Sequence, residues 1–411
     1  MSRTTVAIVG GGASGLVAAI SAKRMGAKVT ILERNPRVGK KILATGNGRC
    51  NLTNINADVP CYNGENPKFI YSAFSQFSVE RSLEFFEGLG IEYKVEEEGK
   101  VYPMSDQASS VLDVLLYEVH RLKIEVLCDS FVQAIKPTKK GFSLDLEDGR
   151  KLSFDKVVLC AGGSAMPSSG SDGNGFELAK SLGHSTTKIF PALVQIMLEG
   201  DFFKRIDGVK FVGTVEVIEG KKVIANDRGD VLFTNYGVSG PPILQVSRKA
   251  SEAREFHKKR ELKLVLIDSL DKEDLRKRLD RRFRTAHSKT AEESMIGLIN
   301  KRLIPVVLQE AGISDLRKKA SDLSEKEKKS LLDLLTDWRF VIKGTKGWQS
   351  SQVTAGGVRT AEICADTMES KLVAGLYLAG EIVDIDGRCG GYNLQWAWSS
   401  GYIAGQNAAY A

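Results

Sequence analysis

Histidine and cysteine are scarce in this chain of 411 residues, at four and six copies. Cys50, Cys61, Cys128, Cys160, Cys364 and Cys389 lie far apart, with no C-x-x-C pair and no Cys/His cluster. Zinc sites, iron–sulfur centres and dithiol couples all need such spacing, so no metal is expected. A G-x-S-x-G elbow is missing as well, which removes support for a serine hydrolase. No apolar run approaches the ~20 residues that span a bilayer. The chain enters a strand pattern without a charged, apolar leader, so the expectation is a cytoplasmic protein with no membrane contact. Fixed-period repeats and low-complexity tracts are also absent.

What is present is ordinary in bulk, 42% hydrophobic and 27% charged, and long enough to bury a large core in two or three structural units. The net charge is +7. Much of the excess falls between Lys249 and Arg284, in Lys258-Lys259-Arg260, Arg276-Lys277-Arg278, Arg281 and Arg282. Acids interleave there (Glu252, Glu255, Asp274, Asp280), which favours a solvated helical face. The lack of an aromatic stacking platform weighs against nucleic acid without excluding it.

The strongest pattern is at the N-terminus. Val6-Ala7-Ile8-Val9 runs into Gly10-Gly11-Gly12-Ala13-Ser14-Gly15, a Gly-poor helical stretch follows, and Glu33 closes a second apolar run, Val29–Leu32. This is a nucleotide-binding βαβ unit. Gly10 permits the sharp turn, Gly12 lets backbone reach a pyrophosphate, and Gly15 allows close helix–strand packing. The phosphates belong on the free N–H groups and positive dipole end of the helix. Glu33 is placed for a ribose, an acid that favours a free 2′-hydroxyl, although the adjacent Arg34 blurs that distinction.

Lys40–Asn54 is rich in Gly, Asn and Thr and reads as a loop. Helical periodicity marks Lys68–Phe77, Val79–Leu89 and Ala108–Leu122, and strands are expected at Ile124–Leu127, Phe131–Lys136, Phe142–Glu147 and Leu152–Leu159. After Pro191, alternating segments at Gly213–Ile218, Asp230–Phe233 and Glu261–Ile267 suggest an antiparallel unit, and Asp271–Leu335 patterns as helix. Near the C-terminus, Gly375–Glu381 repeats the strand-Gly-acid arrangement, and Gly390-Gly391-Tyr392-Asn393-Leu394 opens a helix of small residues. The tail is therefore expected to rejoin the first sheet, making the nucleotide domain discontinuous. The expected divisions are 1–190 and 345–411 for that domain, 191–270 and 337–344 for a β-rich insert, and 271–336 for a helical insert.

A fingerprint at one end and a strand-Gly-acid element at the other suit FAD better than NAD, with adenosine at Glu33 and the ribityl chain at Glu381. The dipole of the last helix would face the N1/O2 edge of the flavin. Arg49 is suited to bidentate phosphate contact and Lys41 to a point charge, while Gly46 and Gly48 let backbone curl round the cofactor. No second G-x-G-x-x-G follows a strand, so NADH or NADPH would dock only transiently.

Val6–Glu33, the loop Gly46-Asn47-Gly48-Arg49-Cys50-Asn51-Leu52-Thr53-Asn54, Cys160–Gly163, Thr354–Val358, Leu378–Glu381 and Gly390–Asn393 together resemble the BaiN/YhiN-like flavoproteins. That group includes aminoacetone oxidase-type enzymes. The resemblance implies a Rossmann-like FAD-binding domain of the glutathione-reductase type, interrupted by a β-barrel-like unit and a small helical subdomain, in an α/β protein. It also implies NAD(P)/FAD-dependent oxidoreductase activity. The residues it places on FAD are Gly10, Gly12, Ser14, Gly15, Glu33, Lys41, Arg49, Cys50, Asn51, Val132, Ala161, Gly162, Gly380, Glu381, Gly391, Asn393 and Leu394. Ala13, Arg34 and Gly48 join them from the motifs themselves.

The expected reaction is hydride transfer between flavin N5 and a small organic substrate, with NAD(P)H as reductant. An O2-using amine oxidase and an FAD-dependent RNA-modifying or RNA-binding protein are the alternatives. Neither a catalytic acid nor an oligomeric state is legible. Trp396 and Trp398 read as core, and Cys50 as a small buried contact.

Overall fold

The computed structural model describes residues 3–255, 259–285 and 288–410, so Lys258 lies outside the described residues. The chain forms two compact units, Met1–Pro191 with Ser351–Ala411, and Ala192–Ser350. The β-rich and helical stretches that the sequence divides at residue 270 fold as one unit.

The first unit is built on β1 (Thr5–Val9), whose Val6, Ala7 and Ile8 are fully buried, as a central parallel strand covered on both faces requires. It is followed by helix α1 (Ala13–Arg24) and strand β2 (Lys28–Leu32). Helix α2 (Ala108–Arg121) turns Val111, Leu112, Leu115 and Val119 inward and leads to β3 (Glu125–Leu127). With β4 (Lys156–Leu159) and β5 (Leu376–Leu378) these strands form a five-stranded parallel sheet in the order β5-β4-β1-β2-β3. The C-terminal segment thus supplies an edge strand to the sheet begun at the N-terminus.

One expected strand is two. Leu152–Leu159 breaks at Asp155, whose carboxylate accepts from the N–H and hydroxyl of Thr5, both at 2.7 Å. Lys151–Phe154 joins an antiparallel meander with Gly141–Leu146 and Val132–Thr138, while the residues beyond Asp155 enter the parallel sheet. A period-2 pattern cannot reveal a change of sheet at a polar residue that is itself satisfied.

Helix α3 (Tyr392–Ala408) packs on α1 at very short range. A side chain at Gly401 or Gly405 would collide with the backbone of Ser14 or Ala18, and the Ser21 hydroxyl donates to the Tyr402 carbonyl at 2.8 Å. The small residues of α3 are there to let two helix backbones touch.

The second unit is a closed six-stranded barrel of Ile196–Leu198, Gly237–Ser239, Lys222–Thr234, Lys210–Glu219, Glu261–Val265 and Trp338–Thr345. Alternate residues such as Val215, Val217, Leu262 and Leu264 are fully buried. Helix Lys272–Thr285 buries Leu275, Leu279 and Phe283, four residues apart, and exposes a charged remainder. Each unit has its own apolar cluster. No helix among the described residues is long and apolar enough to cross a membrane.

Candidate cofactor site

The turn from β1 into α1 opens on a cleft all of whose lining residues belong to the first unit. Gly10 adopts φ 104°, and a Cβ there would strike the Cys160 carbonyl. Gly12, the residue that caps α1, has nothing within 4 Å of a notional Cβ. The first turn of α1 has no side-chain cap and no acidic residue. Its positive end therefore faces open space, beside Gly12, Ala13 and Ser14, where an anion is favoured. Gly15 does not line the cleft and instead packs against the Gly10 carbonyl.

Glu33 is buried at the rim. One carboxylate oxygen accepts from Gly11 N–H at 2.9 Å, and the other accepts from the backbone and side-chain amides of Asn35, both at 2.8 Å. These bonds fix its orientation and leave lone pairs for a hydroxyl partner. Arg34 pairs with Asp172 at 2.5 Å and lies over the Phe131 ring. Arg34, Val132, Ala161 and Gly162 line the same cleft.

Lys41, Glu381, Asn393 and Leu394 line it too, from both halves of the discontinuous unit. Lys41 Nζ pairs with Glu381 at 2.6 Å, and the other Glu381 oxygen accepts from Thr354 N–H at 2.8 Å. Asn393 closes the turn before α3, accepting from Gly387 N–H at 2.8 Å and donating to the Gly387 carbonyl at 2.9 Å. Gly380 sits behind the wall, its carbonyl held by Trp396 Nε1 at 3.0 Å and its N–H by the Ser400 hydroxyl at 2.9 Å. Gly391 caps α3 at φ 96° against the Thr53 carbonyl.

The loop that carries the most specific motif does not reach the cleft beyond Thr45. Gly48, Arg49, Cys50 and Asn51 are absent from its wall. Arg49, expected from sequence to contact phosphate, pairs with Glu96 at 2.5 Å and Asp106 at 2.6 Å and covers the Tyr102 ring. Gly48 is exposed, and burial pushes the Cys50 thiol up to about 12, which leaves it inert. Asn51, with its amide oriented to suit its neighbours, donates to the carbonyls of Val101 and Thr53 and accepts from Gly391 N–H at 3.3 Å. Thr53 donates to Gln395 at 2.5 Å, and Trp398 Nε1 donates to the Leu52 carbonyl at 2.8 Å. The motif thus braces the N-terminal turn of α3.

Sequence reasoning missed Asn35, Ile42, Ser169–Ser171 and Ile385, all in the wall. The Ser/Gly-rich run after β4 was the available signal for Ser169–Ser171. Arg388 and Lys343 are exposed, Tyr102 and Tyr392 are buried, and none of these groups, nor Tyr236, lines the cleft, so none is placed there as a proton donor.

Asp384, next to Ile385, is buried and accepts from Glu65 N–H at 2.9 Å. Burial pushes its carboxyl up to about 6, with the charges of Asp386 and Glu65 adding to the rise. A pKa raised in the folded state means the unfolded chain loses this proton first. Stability from this group is fullest below pH ~4 and falls until pH ~6, by on the order of 2 to 3 kcal/mol. Asp384→Asn is expected to flatten that part of the urea-denaturation profile, and an unchanged slope between those pH values would rule the group out.

A family model described as the HI0933-like protein Rossmann domain matches residues 4–407. The chain belongs to the HI0933-like family. It is 41% identical over 408 residues to a 3-dehydro-bile acid delta(4,6)-reductase of Clostridium scindens, covering 98% of both chains. To a ribosomal RNA dihydrouridine synthase of Escherichia coli it is 31% identical, covering 99% of this chain and 98% of the relative. Among solved structures, a 3-ketosteroid delta1-dehydrogenase of Sterolibacterium denitrificans aligns with a TM-score of 0.52 at 12% identity, covering 99% of each chain. That last likeness establishes a shared fold. The HI0933-like sheet and barrel are those described above.

Proposed function

We propose that this FAD-dependent oxidoreductase delivers hydride to a carbon–carbon double bond conjugated with a carbonyl, using NADH or NADPH as the source of electrons. One convergence carries the reading. The two relatives are named for different substrates, yet their names describe the same bond change. A 3-oxo steroid with Δ4,6 unsaturation and the C5=C6 bond of uracil are both alkenes polarised by a carbonyl. Hydride adds to the electron-poor carbon, charge passes to the carbonyl oxygen, and a proton completes the adjacent carbon.

The cleft fits FAD on its own geometry: an uncapped, acid-free helix start beside an open glycine, with a buried, oriented acid at the next strand end. FAD, when bound, supplies hydride from its reduced N5 and is recharged by the nicotinamide. Gly10, Gly12, Ala13 and Ser14 hold the pyrophosphate, and Glu33 with Val132 holds the adenosine end. Lys41 and Glu381 flank the ribityl chain. The α3 N-terminus at Asn393 and Leu394 offers N–H groups where negative charge develops. Gly15, Gly380, Gly391 and the Gly48–Asn51 loop hold this frame in shape.

A second reading, with uridine in RNA as acceptor, has its own support. Ala192–Ser350 carries 32 Lys and Arg against 24 Asp and Glu, whereas the rest of the chain carries 26 against 27. All the positive excess lies in the barrel unit.

Anaerobic stopped-flow absorbance tests the reaction class. NADH or NADPH is expected to bleach the flavin, and an unsaturated 3-ketosteroid or a uridine-containing rRNA fragment to restore it. Bleaching by a small amine with peroxide release on admitting O2, and none by nicotinamides, would replace the reductase with an oxidase.

A further inference from the structure

The helix Lys272–Thr285 has two charged faces of different construction. On one, Arg276 pairs with Glu273 at 2.7 Å and Asp280 at 3.0 Å, and Lys277 with Asp274 at 3.7 Å. At the helix start Lys272 pairs with Asp333 at 2.6 Å. On the other, Arg278, Arg281, Arg282 and Thr285 recur three and four residues apart and form one stripe. That stripe, with Lys289 and Ser294, walls a surface pocket in which no described lining residue is a carboxylate. Arg278, Arg281 and Lys289 are exposed and form no ion pair among the described residues. Arg282 is half-buried, and its guanidinium donates to the carbonyls of Ser294 at 2.7 Å and Ile296 at 3.0 Å. Those neutral partners fix the cation without cancelling its charge.

Four cations gathered round one concavity repel one another, and a helix that neutralises its other face has acids available to prevent it. The arrangement is favourable once a polyanion covers it. Guanidinium and ammonium groups are the donors that bind phosphate oxygens; the hydroxyls of Thr285 and Ser294 are spent on the carbonyls of Arg281 and Ala291. The unit that holds this pocket also holds all the positive excess of the chain.

We propose that the Arg278–Arg281–Arg282–Lys289 pocket binds the phosphodiester backbone of RNA. The proposal rests on the RNA reading above and names the surface through which the substrate is held. Phosphate contacts hold a strand without reading its sequence, so the pocket supplies affinity and not base choice.

The test is fluorescence anisotropy of the full-length holoenzyme with a fluorescein-labelled hairpin RNA across a salt series. Two triple variants remove the same charge from the same helix region. One is Arg278→Gln/Arg281→Gln/Lys289→Gln. The other is Lys272→Gln/Arg276→Gln/Lys277→Gln, which touches only paired cations. The first is expected to weaken RNA binding roughly tenfold or more and to lower the salt slope by about 2 to 3, the second to change affinity less than about twofold. Retained flavin and an unchanged melting temperature show that the variants are folded. Equal loss in both triples, or wild-type binding in the first, overturns the pocket. So does a first triple impaired only in NADPH turnover, with RNA affinity intact. Absence of RNA binding by the wild type at low salt overturns it as well. Nicotinamide-driven reduction of an unsaturated ketone would survive all of these, and its failure would count against the reaction class alone.

Discussion

Gly12→Asp is expected to give a folded protein that purifies without flavin. Gly12 is in extended backbone, φ −84° and ψ −163°, with open space where a side chain would start, so the substitution strains nothing. Aspartate is also a favourable helix cap, and the apo fold should gain a few tenths of a kcal/mol from capping α1. The same carboxylate stands where the diphosphate is to sit, fills the space and repels it. FAD affinity should fall at least ~100-fold, about 2.7 kcal/mol. Flavin absorbance per chain and the melting curve of deflavinated protein read the two effects separately. Gly12→Ala, which adds bulk without charge, should lie between. A yellow Gly12→Asp protein would move the pyrophosphate elsewhere.

Gly405→Val should destabilise the first unit by about 3 kcal/mol, the upper range for overpacking a close contact. The prediction opposes helix propensity, which favours replacing a mid-helix glycine by about 0.5 to 1 kcal/mol in the case of alanine. Propensity loses here because the added carbon meets the backbone of Ala18, which cannot turn aside as a flexible side chain can. Even Gly405→Ala should be destabilising. Urea denaturation of both variants checks the sign, and a stabilised Gly405→Ala would mean that α1 and α3 do not touch here.

Both substitutions show what kind of information the sequence carried. The strand–turn–helix–strand geometry around Gly10–Gly15 and Glu33 was legible because the fingerprint is local, its elements contiguous within some thirty positions. The return of Leu376–Leu378 to the same sheet was legible from the repeated strand-Gly-acid grammar, a weaker sign that holds because β5 pairs with β4. Arg49, a guanidinium in a Gly-rich loop, has the chemistry to hold phosphate, but its partners Glu96 and Asp106 lie 47 and 57 residues away, and nothing local announces them. The role of the loop as a brace for α3 depends on contacts more than 330 residues distant, through Thr53, Asn54 and Trp398. The sheet switch at Asp155 was hidden for a similar reason: the group that pins it, Thr5, is 150 residues away. The cations of Lys272–Thr285 that line the pocket lay in plain sequence, but interleaved acids masked them until pairing showed that Asp274 serves Lys277.

The central claim is that the opening and closing segments of this chain build one FAD site. Titrating FAD into the deflavinated protein and following flavin fluorescence tests it most directly. The account predicts saturable quenching at one FAD per chain, with a rise in melting temperature at saturation. No saturable quenching and no thermal shift would contradict it.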